Sequence, residues 1–257
     1  MTSESTKEQV VLITGGGSGI GKEIARKFAS GGNKIIINDV REDVGIQAAR
    51  EVNGTYIYAD LSDMDSTRKL ATEALDLFGT IDILVNNAGF QHVAPVDEFP
   101  ETLWAKMIQV MLVAPFQLTK LALPGMKESG WGRIINMSSI HGLVASPYKS
   151  AYNSAKHGLI GFTKTVALEV GEFGITANAI CPGYTRTPLV QAQVADQAKN
   201  NDLSEDEVIS KIMLEPAAIK RLVEPTEVAD LTVFLASDSA RSITGSAYSI
   251  DLGWVAR

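Results

Sequence analysis

From Val10 to Ile250 the chain alternates short apolar runs, rich in β-branched residues, with longer stretches of helical character. Val10–Thr14 opens the series. A glycine-rich turn follows, then a helix expected over about Gly19–Ser30, which Gly31-Gly32 stops as glycine does at a helix C-terminus. Further strands are expected at Lys34–Asn38, at residues 55–59, 81–85, 133–137 and 176–180, and at Ala247–Ile250. Helical stretches fall near residues 65–78, 101–127, 150–173 and 226–236, with a charged one from 189 to about 222. Runs that are apolar throughout, rather than at every second position, belong to strands buried on both faces. Joined by helices, such strands wind right-handedly into a parallel sheet covered on both sides. The pattern predicts an α/β chain with a doubly wound parallel sheet. With 257 residues, no internal repeat and no Pro/Gly/Ser linker, it fits one domain over 1–257, of which 189–222 is a helical subregion.

Composition narrows the class. Hydrophobic residues make up 45% and charged residues 21% of the chain, values of a globular rather than a disordered or fibrous protein. Stretches free of charge are too short, and too rich in Ser, Gly and Asn, for the roughly 20 apolar residues of a bilayer span. The opening MTSESTKEQ holds Glu4, Glu8 and no apolar segment, so no secretion signal is expected there. Cys181, the one cysteine, makes neither an internal disulfide nor a metal cage, and no metal is expected. A net charge of −7 argues against a nucleic-acid surface. The expectation is a cytoplasmic protein without membrane or nucleic-acid partners.

Thr14-Gly15-Gly16-Gly17-Ser18-Gly19-Ile20-Gly21 lies between the first strand and the first helix. Glycines let a backbone turn tightly and approach a pyrophosphate, whose charge then meets the N–H groups of the helix N-terminus. Gly15, Gly19 and Gly21 give G-x3-G-x-G, looser than the G-x-G-x-x-G dinucleotide pattern, and a simple tight turn would use glycines too. Asp39 strengthens the binding reading. It ends the second strand 18 residues past Gly21, close to the ~20 at which an acid takes the adenosine ribose hydroxyls. A carboxylate there repels a 2′-phosphate, which predicts NAD rather than NADP. Val40 offers no compensating charge, and Arg41 reads as a solvated loop residue. Asp60, after the third strand, serves either the adenine amino group or the next helix as its cap.

Tyr152 and Lys156 stand four apart on a helix and share a face, and Ser139 closes the strand before it. With a pKa ≈ 10, tyrosine is a poor base unless a cation stabilises its phenolate. A lysine one turn away supplies that charge, and a serine hydroxyl polarises the reacting oxygen. Alone, Tyr-x3-Lys is common on helix surfaces. Taken together and in this order, the glycine turn at 14–21, Asn86-Asn87-Ala88-Gly89, Ser139, Tyr152-x3-Lys156 and Pro182-Gly183 resemble the short-chain dehydrogenase/reductase family over essentially the whole chain.

The resemblance implies a Rossmann-type sheet of about seven strands and hydride transfer to or from nicotinamide. It makes Tyr152 the general acid/base, Lys156 the group that lowers its pKa and holds the nicotinamide ribose, and Ser139 the group that positions the substrate oxygen. It assigns Thr14, Gly15, Gly17, Ser18, Gly19, Ile20 and Gly21 to the cofactor, with Asp39, Asp60 and Leu61. Asn87, Ala88 and Gly89 would line it, and Pro182, Gly183, Thr185 and Thr187 would hold its nicotinamide end. A homotetramer built through the helices near 101–127 and 150–173 and the C-terminal region is implied as well.

One departure is visible. Met111 stands where the family carries an Asn, whose main-chain carbonyl binds the water linking the lysine to solvent. Pro115, four residues on, has no N–H to bond the Met111 carbonyl. Either that carbonyl stays free and the proton relay survives, or the enzyme is impaired.

Gln91, His141, Lys149 and Gln193 would set one cation and three hydrogen-bonding groups beside Tyr152, which suits a small carboxylate. Singly, each has a plainer reading: loop polar residues, a satisfied histidine, a solvated lysine. Trp254, near the C-terminus, would serve subunit packing in the same spirit. As a set they resemble the D-3-hydroxybutyrate dehydrogenase branch of the family. That branch implies reversible NAD-dependent oxidation of (R)-3-hydroxybutyrate to acetoacetate, with Trp254 near the substrate. There the residue before the Thr-x-Thr loop is often Trp. Here it is Tyr184, which leaves the accepted chain length open.

The 189–222 stretch has two helical pieces broken at Asn200-Asn201-Asp202 and is expected to close as a lid, bringing Gln193 to the carboxylate. Ser204-Glu205-Asp206-Glu207 reads as a helix cap with first-turn acids. The alternatives are a dehydrogenase of another small hydroxy acid or polyol, a 3-oxoacyl thioester reductase, and a cofactor-binding scaffold without turnover. Asp39 and the net acidity weigh against the reductase; only Met111 favours the scaffold.

Overall fold

A computed structural model describes residues 8–256. Its strands are β1 Val10–Thr14, β2 Lys34–Asn38, β3 Thr55–Tyr56, β4 Ile83–Asn86, β5 Gly132–Met137, β6 Ile175–Pro182 and β7 Ala247–Ile250. They form one sheet of seven strands among the described residues, in the order β3-β2-β1-β4-β5-β6-β7, parallel throughout. The helices are α1 Gly19–Ser30, α2 Glu42–Glu51, α3 Met64–Phe78, α4 Glu101–Ile108, α5 Ala114–Ser129, α6 Ser150–Val170, α7 Pro188–Asn201, α8 Glu205–Glu207 and α9 Pro225–Ala236.

Successive side chains of a strand point to opposite faces, and the two cores follow from that alternation. Val10 and Leu12 of β1 join one core with Leu70 of α3, Met107 of α4, Leu118 of α5 and Val166 of α6. Val11 and Ile13 join the other, with Ile24 and Phe28 of α1, Ala48 of α2, and Val228 and Leu235 of α9. β1 and β4 are neighbours although β2 and β3 lie between them in sequence. The winding reverses there, and a crevice opens beyond the C-terminal ends of both strands.

Three details depart from the sequence pattern. α2 has no counterpart in the expected series, because its buried residues are only Gly45, Ala48 and Ala49. β3 ends at Tyr56, not at residue 59. Beyond it one backbone bond follows, from the Ile57 N–H to the Ile37 carbonyl at 2.9 Å, and the Asn38 side chain takes the Ile57 and Ala59 carbonyls at 3.3 and 3.1 Å. The helical run 101–129 is interrupted by a π turn, Gln109–Val113, where the Ala114 N–H reaches back to the Gln109 carbonyl. Pro115 lacks the N–H that would bond the Met111 carbonyl, so the α-helical ladder cannot pass this point unbroken. By length and composition alone the helix Glu101–Ser129 is long and apolar enough to cross a membrane, although its charge-free stretches are short. Its Met107, Val110, Met111, Ala114, Leu118, Ala122 and Met126 instead form one wall of the core.

Between β6 and α9 lies a helical segment with a small core of its own. Val190 and Val194 of α7 meet Val208 and Met213, the ends of a π turn, Val208–Met213, that continues α8. Asp202, with φ 53°, closes α7 at the expected break, and Ser204 and Glu207 form the expected capping box.

Candidate active site

The glycine turn sits at the C-terminal end of β1. Gly15 has φ 61°, and a Cβ there would lie 2.9 Å from the Ala88 Cα. Gly21 packs so closely that a Cβ would stand 2.4 Å from the Gly15 carbonyl oxygen. Asn87 braces the turn from β4, its Nδ2 donating to the Thr14 and Gly15 carbonyls at 3.0 and 3.1 Å. Thr14 Oγ1 accepts from the N–H groups of Asn87 and Ala88 at 3.0 and 3.1 Å. Ser18 is the N-cap of α1, yet its hydroxyl makes no bond to the helix N–H groups. The first turn of α1 therefore keeps its donors for an anion.

A cleft of about 640 Å³ runs along the strand ends. Its wall holds Gly15, Ser18, Gly19, Ile20, Asp39, Asp60, Leu61, Asn87, Ala88, Gly89, Tyr152, Lys156, Pro182, Gly183, Thr185 and Thr187, most of the cofactor residues expected from sequence. Thr14, Gly17 and Gly21 are not in the wall; Thr14 and Gly21 shape the turn from behind. The Gly17 N–H donates to Asp39 Oδ2 at 3.1 Å.

Asp39 is buried, and Arg41 is the exposed loop residue expected, though it is paired rather than free. Arg41 donates its backbone N–H and Nε to Asp39 Oδ1 at 3.0 and 3.1 Å, and Nη2 to Asp39 Oδ2 at 3.2 Å and to Ser18 Oγ at 2.9 Å. Asp60 does not cap the following helix. Asp63 does, accepting from the N–H groups of Asp65 and Ser66. Asp60 accepts from Ser62 N–H at 2.9 Å. Burial raises its pKa, but bonds from Ser62 and the charge of Lys106 together hold it below the ordinary value.

Ser139 lies two residues past β5 rather than closing it, and caps the 3-10 turn Ile140–Gly142 by accepting from the His141 N–H at 3.1 Å. Lys156 Nζ donates to the Met137 carbonyl at 2.7 Å and lies 5.5 Å from the centre of the Tyr152 ring. Burial lowers Lys156 to about 8 and raises Tyr152, against which a hydrogen bond with Ser139 works. Met111 is fully buried, and its Sδ would lie 3.2 Å from a Cβ placed on Gly89.

Next to Tyr152 three rings meet the His141 imidazole edge to face: Tyr152 at 6.3 Å, Tyr184 at 6.5 Å and Trp254 at 6.0 Å. Lys149 Nζ stands 3.2 Å from His141 Nε2 and 5.7 Å from the Tyr184 ring centre. Burial, then the Lys149 charge, drive His141 down to about 3, so the ring is neutral. The lysine donates to Nε2, which assigns the imidazole proton to Nδ1, 3.4 Å from Ser146 Oγ. Lys149 is itself buried, which lowers its pKa, and it forms no ion pair among the described residues. It is not a solvated lysine. Trp254 donates its indole N–H to the Met213 carbonyl at 3.0 Å. Gln91 Nε2 is buried without a hydrogen-bond partner, and Gln193 is half-buried on α7. Among the described residues no hydrogen bond joins either to the cluster. Ser146 and the Met137 carbonyl carry no signal in the sequence; only the fold brings them to His141 and Lys156.

A doubly wound sheet with an anion-binding turn on β1 and a Ser–Tyr–Lys group across the crevice defines a nicotinamide-dependent oxidoreductase. Residues 9–198 match the short chain dehydrogenase family, and the chain belongs to that family. It is 45% identical over 256 residues to a D-beta-hydroxybutyrate dehydrogenase of Rhizobium meliloti, covering 97% of this chain and 99% of the relative. It is 44% identical over 254 residues to one of Cupriavidus necator, covering 97% and 98%. Among solved structures, an actinorhodin polyketide ketoreductase with NADPH superposes with a TM-score of 0.91 at 31% identity, covering 96% of this chain and 97% of that one.

Proposed function

We propose that this protein catalyses the reversible oxidation of (R)-3-hydroxybutyrate to acetoacetate with NAD. The observation that carries the reading is Lys149, a buried cation without a carboxylate partner among the described residues, bonded to neutral His141 at the edge of Tyr152. A buried charge is retained when something pairs with it, and a substrate carboxylate is that counter-charge. The two D-beta-hydroxybutyrate dehydrogenase relatives support the same substrate.

The residues present fit a dinucleotide: uncapped N–H groups at the start of α1, Asp39 toward the adenosine ribose, and Asn87 to Gly89, Tyr152 and Lys156 toward the nicotinamide end. When bound, NAD supplies the carbon that accepts the hydride. Tyr152 takes the hydroxyl proton while Ser139 holds the same oxygen. Lys156 favours the phenolate and passes the proton onward past Met111, whose carbonyl the missing Pro115 N–H leaves to water. Lys149, positioned by His141, holds the carboxylate, with Gln91 and Gln193 completing the clamp as the 188–213 lid closes and excludes water. A homotetramer fits Phe116, Leu168 and Phe173, exposed on and beside α5 and α6. The proposed setting is the cytoplasm.

The test is NADH formation with (R)- and (S)-3-hydroxybutyrate, run in parallel with NADP. Turnover of the (R)-acid with NAD is expected. Tight NAD binding with silence on both acids would overturn the substrate.

A further inference from the structure

We infer that Trp254 is a latch between the helical lid and the carboxylate cluster, a positioning residue that acts through His141. The inference rests on reading residues 188–213 as a lid. The indole N–H is spent on the Met213 carbonyl, 41 positions back and the last residue of the π turn. The ring packs with Ile209 and Leu252 against Leu214, Ala217 and Leu222, where the lid rejoins the body. Its edge meets His141 at 6.0 Å and 86°. One side chain thus touches the lid's end and the ring that holds Lys149.

The tail carrying Trp254 is itself fixed. The Asp251 carboxylate accepts from the N–H groups of Gly253 and Val255 at 3.1 and 2.9 Å. The Leu252 carbonyl accepts from Ala218 and Ile219 at 2.9 and 3.1 Å. Leu252 is held at φ 59°, a left-handed conformation its side chain disfavours, so the surroundings impose it. Because the tail is anchored at Asp251 and Leu252, opening of the lid moves Met213 away from the indole. A carboxylate that orders His141 favours the latched state, and by reciprocity the latched lid favours the carboxylate.

The experiment compares wild-type and Trp254→Phe protein by hydrogen exchange, with NAD alone and with NAD plus acetoacetate, a pair that cannot react together. Phenylalanine keeps a ring edge at His141 and removes the N–H. With NAD alone, amides of 208–214 are expected to exchange about five-fold faster in the variant, the size of one neutral hydrogen bond. Acetoacetate is expected to protect these amides in wild type and to protect them less in the variant. KM for the hydroxy acid rises by a similar factor, with a smaller change in kcat. Equal lid exchange in the two proteins overturns the latch. So does faster exchange spread over β6 and β7, which would make the tail a structural strap. If acetoacetate protects nothing in wild type, the substrate reading fails, and the NAD-alone comparison still decides the latch.

Discussion

Lys149→Met separates what the lysine does for the substrate from what it does to the protein. Lys149 is 8% exposed, its ammonium bonded to His141 and to no carboxylate among the described residues. A hydrogen bond to a charged group contributes about 1.5–3 kcal/mol. At 1.36 kcal/mol per decade, its loss lowers kcat/KM for (R)-3-hydroxybutyrate by about 10- to 150-fold. The methyl ester of the same acid carries no charge and should lose far less, so the ratio of the two kcat/KM values is the readout. Stability moves the other way. Methionine has nearly the same length and removes a desolvated cation, while giving up one bond to a neutral imidazole. The melting temperature should hold or rise by about 2–4 °C, the shift that ~1 kcal/mol gives a chain of this size. Steady-state kinetics on both substrates and a thermal melt decide it. An equal fall for acid and ester, or a melting temperature well below wild type, would refute the reasoning.

Lys156→Met should abolish turnover and yet stabilise the fold near pH 7. Burial holds Lys156 at about 8 against its usual 10.5, so across that window the unfolded chain binds the proton that the folded chain releases. Stability therefore rises with pH there. After allowing for the lost bond to the Met137 carbonyl, the variant's advantage below pH 8 is about 2 kcal/mol, fading toward pH 10.5; a difference constant between pH 7 and pH 10 would contradict this. Arg41→Ala should free Asp39 for the ribose hydroxyls, tightening NAD by up to about five-fold, as expected for an exposed ion pair, and weakening NADP. Titration calorimetry showing an unchanged NAD/NADP ratio would count against it. Met111→Asn should raise turnover by less than about three-fold if the Met111 carbonyl already serves the relay; a large rise would show that the relay is defective as it stands.

The strands were legible because their apolar runs are continuous, and the anion-binding turn because glycines between a strand and a helix have few other uses. α2 was not, since a buried face of Gly45, Ala48 and Ala49 carries almost no periodic signal. Pro115 announced a break in the helical ladder, but only the structure shows that the chain answers with a π turn. At the site, residue types were readable and partnerships were not. Arg41 lies two positions from Asp39, yet its second partner, Ser18, arrives from another element. Lys149 and His141 meet because the loop after β5 folds back on itself. Trp254 and Met213 meet through a tail whose path no local pattern specifies.

The floor of the phosphate turn is built from both sides of the sheet. Thr14 and Gly15 are joined to Asn87 and Ala88 across 72 to 74 positions of sequence. During synthesis the first third of the chain emerges with its glycines in order but without the amide that holds them. A dinucleotide therefore recognises the completed junction of β1 and β4 rather than the turn alone. Its binding energy falls on the folded state only, and in the cell the nucleotide pool acts as a thermodynamic brake on unfolding at the seam between the two halves of the sheet.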